Sequence, residues 1–285
     1  MTANEITFGI EIECSIPRDA FVAAGIQPGG YHNGRQIPGM PIGWNAQRDG
    51  SIRPARGCYA VEIVSPILKG EDGVRQVREV VANLNALGAK VNRSTGFHVH
   101  VGVDRNADAL RKLIRLMAQY EKAFYATTGT HTREQNHYCG SIKSPYFALK
   151  DITTIEEIAT IHHNRYQSLN LMNLVHGELN TVEFRAFAGT LNVIKILGYI
   201  QLCIGLVEKA AAFKCDPCYK SATKCRATEP TTGVGSVAKL LRILKWSNKG
   251  GFGVIASDTV DEIKVEFARL AKKYDRSAVQ PSVLS

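Results

Sequence analysis

Two glutamates stand one residue apart in Phe8-Gly9-Ile10-Glu11-Ile12-Glu13. In a strand, alternate residues share a face, so Glu11 and Glu13 lie on one side and Ile10 and Ile12 on the other. Two like charges side by side need water, an arginine or a divalent metal between them. The same i, i+2 pattern recurs as His98/His100 in Gly96-Phe97-His98-Val99-His100 and as Glu183/Arg185 in Thr181-Val182-Glu183-Phe184-Arg185. Glu62, in Val61-Glu62-Ile63-Val64-Ser65-Pro66, adds a carboxylate between apolar strand residues.

Each pattern alone has an ordinary reading as a solvated strand face or an ion pair. Together they place chargeable residues on one side of several strands and apolar residues on the other. If those polar faces line one sheet, three carboxylates and two imidazoles converge beside a guanidinium. Such a cluster is costly without a cation. The mix of carboxylates with one or two imidazoles suits Mg²⁺ or Mn²⁺. Arg185, and Arg165 in Asn164-Arg165-Tyr166-Gln167-Ser168-Leu169-Asn170, would complete a phosphate clamp. Neither a Walker loop nor a Gly-x-Gly-x-x-Gly after a strand is present.

The elements that must position these residues alternate between strand and helix, which predicts an α+β fold. Strands are expected over 5–13, 59–64, 97–103 and 178–187. Between the first two, residues 17–57 hold eight glycines and five prolines and read as a long loop with room for a short hairpin, of a length usually reserved for lids or binding loops. Val74, Val77, Val81, Leu84 and Leu87 mark an amphipathic helix ended by Gly88. Further helices are expected over 108–127, 155–162 and 193–213. Residues 128–150 look irregular, and Tyr120, Phe124 and Tyr125 read as core. A later helix is expected to be capped by Ser236, and another to carry a Thr259/Glu262 capping box.

At 285 residues and 45% hydrophobic the chain can bury a large core. No apolar run reaches membrane-spanning length, and the N-terminus lacks a signal-peptide pattern. The odd count of seven cysteines points to reduced thiols in a cytoplasmic compartment. Cys215, Cys218 and Cys225 lack a fourth partner nearby and read as thiols rather than as a zinc site. Between Gly205 and Gly250, nine Lys or Arg face three Asp or Glu, which leaves a nucleic-acid partner open. The oligomeric state stays open too.

The ordered motifs Gly9-x-Glu11-x-Glu13, Asp49-Gly50-Ser51-Ile52, Glu62-Ile63-Val64-Ser65-Pro66, Gly96-Phe97-His98-Val99-His100 and Thr181-Val182-Glu183-Phe184-Arg185 resemble the amidoligase family. That family belongs to the carboxylate–amine ligase superfamily of glutamine synthetase and glutamate–cysteine ligase. The resemblance implies a curved, mainly antiparallel sheet forming a funnel, with helices outside. ATP would enter from one end, and small-molecule or peptide carboxylate and amine substrates from the other. By the same resemblance, Glu13 and Glu62 hold a substrate-side metal, with Asp49 as a further ligand. Glu11, His98 and Glu183 hold the metal that bridges the ATP phosphates. Arg185 stabilises the transferring phosphoryl group, and Arg165 holds phosphate or substrate carboxylate. His100 is left with no matched role beyond orienting a neighbouring ligand.

The expected organisation is a catalytic domain over 1–213, a basic helical segment over 214–276 and a disordered tail over 277–285. The expected activity is ATP-dependent amide formation through an acyl phosphate. Two other readings stand beside it: a metal-dependent hydrolase or oxygenase built on His98, His100 and carboxylates, and a basic nucleic-acid-binding protein.

Overall fold

Alternation along Thr7–Pro17 (β1) makes this strand the centre of the sheet. Ile10, Ile12, Cys14 and Ile16 are all buried on one face, and a shift of one residue would exchange them for the glutamates. The computed structural model describes residues 5–30, 33–142, 152–161, 164–177, 179–213, 232–246 and 257–277. Cys215, Cys218, Cys225, most of the cationic stretch before residue 232 and the tail from 278 lie outside these residues.

β1 pairs with Cys58–Val64 (β4) on one side and Gly96–Gly102 (β6) on the other. Leu68–Lys69 (β5) pairs with the start of β1. The sheet is antiparallel, in the order β2-β3-β4-β1-β6-β8-β7. Its outer strands are Arg35–Gln36 (β2) and Asn45–Gln47 (β3) at one edge, and Thr181–Ala188 (β8) and Leu169–Asn170 (β7) at the other. The stretch 17–57 does carry a short hairpin, β2 with β3. It contains the short helix Arg18–Ala23 (α1) and adds β2 and β3 to the sheet. Burial of Ile37, Trp44 and Ala46 supplies the reason, and three residues are too few to display a period.

Eight α-helices occur among the described residues. Gly70–Ala86 (α2), Ala107–Ala126 (α3) and Val193–Ala212 (α6) bring buried apolar residues to the core. Ile155–Ile161 (α4) and Met172–Val175 (α5) are short connectors. Gly233–Ile243 (α7) packs on α3, and Ser257–Ser277 (α8) packs on α6, α3 and α7. None of these helices is long and apolar enough to cross a membrane. Cys14, Cys58, Cys139 and Cys203 are buried and unpaired.

Two expected caps are corrected. Thr232, not Ser236, caps α7 by accepting from the Gly235 amide at 3.0 Å, and Ser236 is buried within the helix. The glycines at 233 and 235 disguised that first turn. Thr259 lies inside α8, which already runs from Ser257, and its hydroxyl accepts from Arg78 on α2 at 3.2 Å.

Aromatic packing ties the helical layer to the sheet. Phe187 of β8 stacks on Tyr199 of α6 at 4.1 Å, and Tyr199 stacks in turn on Phe267 of α8 at 6.0 Å. Gly198 makes this possible, because a Cβ there would lie 2.5 Å from Phe267 Cζ and 2.8 Å from Ile263 Cγ2. A Gly198→Val variant should lose about 1–3 kcal/mol by overpacking. Denaturant unfolding would measure the loss, and hydrogen exchange should place the loosening first in α8.

Candidate active site

The register of the sheet draws its polar residues into one band. Gln47 pairs with Glu62, Glu62 with Glu13, Glu11 with His98, His100 with Glu183, and Glu183 with Asn170. Directly paired residues have Cβ atoms about 4.5–5.5 Å apart, so the carboxylates and imidazoles lie side by side across the strands. All line one cleft of about 1010 Å³. Strand direction gives the cleft two ends. Thr7, Ile67, Met172 and Leu179 flank one; Asp49, Ser51, Ser94, Tyr138 and Arg165 flank the other.

Each acid has a specific set of contacts. Glu11 lies between both histidines, 2.8 Å from His98 Nδ1 and 3.0 Å from His100 Nε2. Burial opposes its ionisation, but the charge on His100 and the two imidazole contacts outweigh it and hold Glu11 well below the usual carboxylate range. His100 is pushed up to about 9: burial disfavours its charge, and the Glu11 carboxylate more than offsets this. Glu13 accepts from the Gly96 amide at 2.6 Å. Glu183 accepts from Asn170 Nδ2 at 2.6 Å and from the Arg185 guanidinium. Burial again opposes ionisation there, and Arg185 reverses the balance. Glu62 accepts from Gln47 Nε2 at 2.7 Å, yet burial and the charges of Glu11 and Glu13 raise it to about 9.

These residues fit a divalent cation. Three groups each bring ligand atoms within 4.8 Å of one another: Glu11/His100/Glu183, Glu11/Glu62/His98 and Glu13/Asp49/Glu62. His98 Nδ1 is engaged with Glu11, while its Nε2 is buried with no hydrogen-bond partner, 3.5 Å from Glu13 Oε1. A buried imidazole nitrogen facing a carboxylate, next to an acid whose charge is suppressed by its neighbours, is the donor set a hard cation would complete.

The structure thus brings Glu11, Glu13, Asp49, Glu62, His98, His100, Glu183 and Arg185 together. Arg165 lines the same cleft but is exposed, with its guanidinium 5.1 Å from the Tyr166 ring centre. Three residues went unnoticed in the sequence. Gln47 and Asn170 end the band as buried amide donors. Arg133 is buried and donates to the Arg185 carbonyl through Nε at 3.3 Å and Nη2 at 2.8 Å. That contact sits at an irregularity where Phe97 and Val99 of β6 face Phe187 and Phe184 of β8, so β8 carries one extra residue.

Arg133 is fixed from both sides. A Cβ on Gly96 would lie 3.0 Å from its Nη1 and 2.9 Å from His98 Nε2, so only glycine lets both approach. Behind it, Tyr274 of α8 donates its hydroxyl to Glu134 at 2.5 Å, and its carbonyl lies 3.0 Å from His131 Nε2.

The profile of a family described as "putative amidoligase enzyme" matches residues 4–207. No curated protein matches the chain. Among solved structures, a bifunctional glutathione synthetase from Pasteurella multocida aligns with a TM-score of 0.48 and 13% sequence identity. That alignment covers 97% of this chain and 52% of the other, so this chain spans about half its length.

Glu62 supplies a test of the electrostatics. Its ordinary value is 4.5 and its folded value about 9, so between those pH values the unfolded chain ionises while the folded protein keeps the proton. Wild-type stability without metal should therefore fall as pH rises through that window. Glu62→Gln should raise the Tm of the metal-free protein, by more near pH 9 than near pH 5, as read by calorimetry. Added Mn²⁺ should raise the wild-type Tm more than that of the variant.

Proposed function

We propose that the chain, which belongs to the amidoligase family, is an ATP- and Mg²⁺-dependent carboxylate–amine ligase that forms an amide through an acyl phosphate. The observation that carries this reading is the band of Glu62, Glu13, Glu11 and Glu183, interleaved with His98 and His100 and flanked by Arg185 in one cleft. A single-metal hydrolase or oxygenase would use the histidines and one acid, and would leave Glu13, Glu62 and Arg185 without work.

In this reading the sheet is the floor of a glutamine-synthetase-like funnel, and residues 1–213 are its catalytic unit. Glu11 and Glu183 would hold a cation on the phosphate side, with His100 bringing a ligand atom into the same group and His98 Nδ1 lying 2.8 Å from Glu11 and 3.4 Å from Glu183. Glu13, Glu62 and Asp49 would hold one on the substrate side. Bound Mg²⁺ or Mn²⁺ would supply Lewis-acid neutralisation of phosphate and carboxylate oxygens.

The chain's own residues do the rest. Arg185 meets the charge on the γ-phosphoryl group as it passes to the substrate carboxylate, and Glu183 keeps its guanidinium in place. Arg165 at the rim meets phosphate or the incoming carboxylate. The walls exclude water from the acyl phosphate until the amine attacks its carbonyl carbon and phosphate leaves. The free, buried thiols of Cys14, Cys58, Cys139 and Cys203 among the described residues suit a cytoplasmic enzyme.

Calorimetry with ATP and Mg²⁺ tests the reading directly. Wild type should bind the nucleotide only with the metal, and Glu183→Gln should abolish that binding. Arg185→Ala should bind but release ADP about 10²–10³-fold more slowly in the presence of acid and hydroxylamine. Metal-loaded wild type that fails to bind ATP would exclude the proposal.

A further inference from the structure

The loops at the Asp49 end of the cleft carry cationic charge that the carboxylate band does not use. Arg48, Arg53 and Arg56 fall in one short segment, and Arg93 sits on the neighbouring loop; all four are exposed. Among the described residues none of the four side chains makes an ion pair or a hydrogen bond. Asp49 is the one acid in the stretch 48–56, and it is already committed: it accepts from the Ser51 amide at 2.6 Å and faces Glu13 and Glu62.

The rim is built rather than loose. The Arg53 amide donates to Ser94 Oγ at 2.9 Å, and Asn92 Nδ2 donates to the Arg53 carbonyl at 2.8 Å, which joins the two arginine-bearing loops. Ser51 and Ser94 line the main cleft, so these loops form its mouth. A second cavity of about 460 Å³ is walled by Arg48, Asp49, Phe21 and Tyr59. The guanidinium of Arg18 lies 5.3 Å from the Tyr59 ring centre, adding a fifth positive charge beside it.

Like charges gathered on fixed backbone repel one another, and an anionic partner relieves that repulsion while being steered toward the site. Guanidinium groups match carboxylates in shape, two donors to two oxygens. We infer that the carboxylate substrate is an acidic peptide whose flanking side-chain carboxylates lie along Arg48, Arg53, Arg56 and Arg93. One of these carboxylates seats in the Arg48–Tyr59 cavity, while the reacting carboxylate reaches Asp49, Glu13 and Glu62. The inference rests on the ligase reading for which end of the cleft admits the acid. A single-stranded nucleic acid carries the same sign of charge, and Tyr59 is 43% exposed beside Arg18, so the experiment includes a DNA arm.

Binding of labelled hexaglutamate to the Mg²⁺-loaded protein without ATP, followed by fluorescence anisotropy, tests this apart from catalysis. Hexaglutamine and a six-nucleotide single-stranded DNA serve as comparisons. Wild type should bind hexaglutamate at least tenfold tighter than either. Arg48→Gln combined with Arg53→Gln should weaken that binding at least tenfold with ATP affinity unchanged. Lys272→Gln with Lys273→Gln, an equal charge change on exposed α8 positions, should leave it intact. Equal binding of the two peptides, tighter binding of DNA, or an equal loss in the α8 variant would each overturn the inference. Arginine-dependent peptide binding with no ADP release from any acid would remove the ligase reading and leave the peptide site standing. ADP release with simple acids and no peptide preference would do the reverse.

Discussion

Confinement of four glutamates to one buried face of a sheet is the constraint on which the rest of the structure depends. Carboxylates at this spacing repel, and withdrawal from water strengthens the repulsion. The sheet tolerates them because its opposite face is almost wholly apolar: Ile10, Ile12, Val61, Ile63, Val99 and Phe184 would all be expelled by a slip of one residue. Hydrophobic burial on one side thus holds an electrostatically unfavourable array on the other. Buried amides at both ends, two imidazoles in the middle and one guanidinium absorb part of the repulsion. Glu62 is where compensation falls short, and that deficit is what a cation would fill.

Around this array, long-range contacts fix the groups that must not move. Glu121 of α3 is buried and accepts from Ser141 Oγ at 2.6 Å, the Ile142 amide at 2.8 Å and Ser168 Oγ at 2.5 Å. It thereby anchors the loop that presents the Tyr138 carbonyl to Arg185 and the approach to β7, which carries Asn170. The extra residue in β8 lets Phe184 and Phe187 both face the core, and the Arg185 carbonyl between them is taken by Arg133.

Most of the array was legible in the sequence because period two is local. Glu11/Glu13, His98/His100 and Glu183/Arg185 each announce a shared face within three residues, and the α2 and α3 stripes do the same at helical spacing. Gln47, Asn170 and Arg133 were hidden for the opposite reason. Their roles come from partners 15, 13 and 52 residues away, and an isolated amide or arginine in a turn-rich stretch carries no pattern. Ser236 and Thr259 misled because a hydroxyl reads as a cap wherever the first turn is disguised. The arginine rim escaped notice because its four arginines are scattered among acids along the chain, and only the fold separates the two signs in space.

The link between Tyr274 and the Arg133 loop gives the site an order of assembly. The carboxylates, the histidines and Arg185 all lie on strands complete by Ala188, whereas the contacts that brace Arg133 from behind span 140 and 143 residues and arrive only with α8. During synthesis the acidic face would form first and its buried arginine would be secured last. A partly made chain therefore presents its acids before it can organise the groups around them, and α8 acts as the closing clasp of the site.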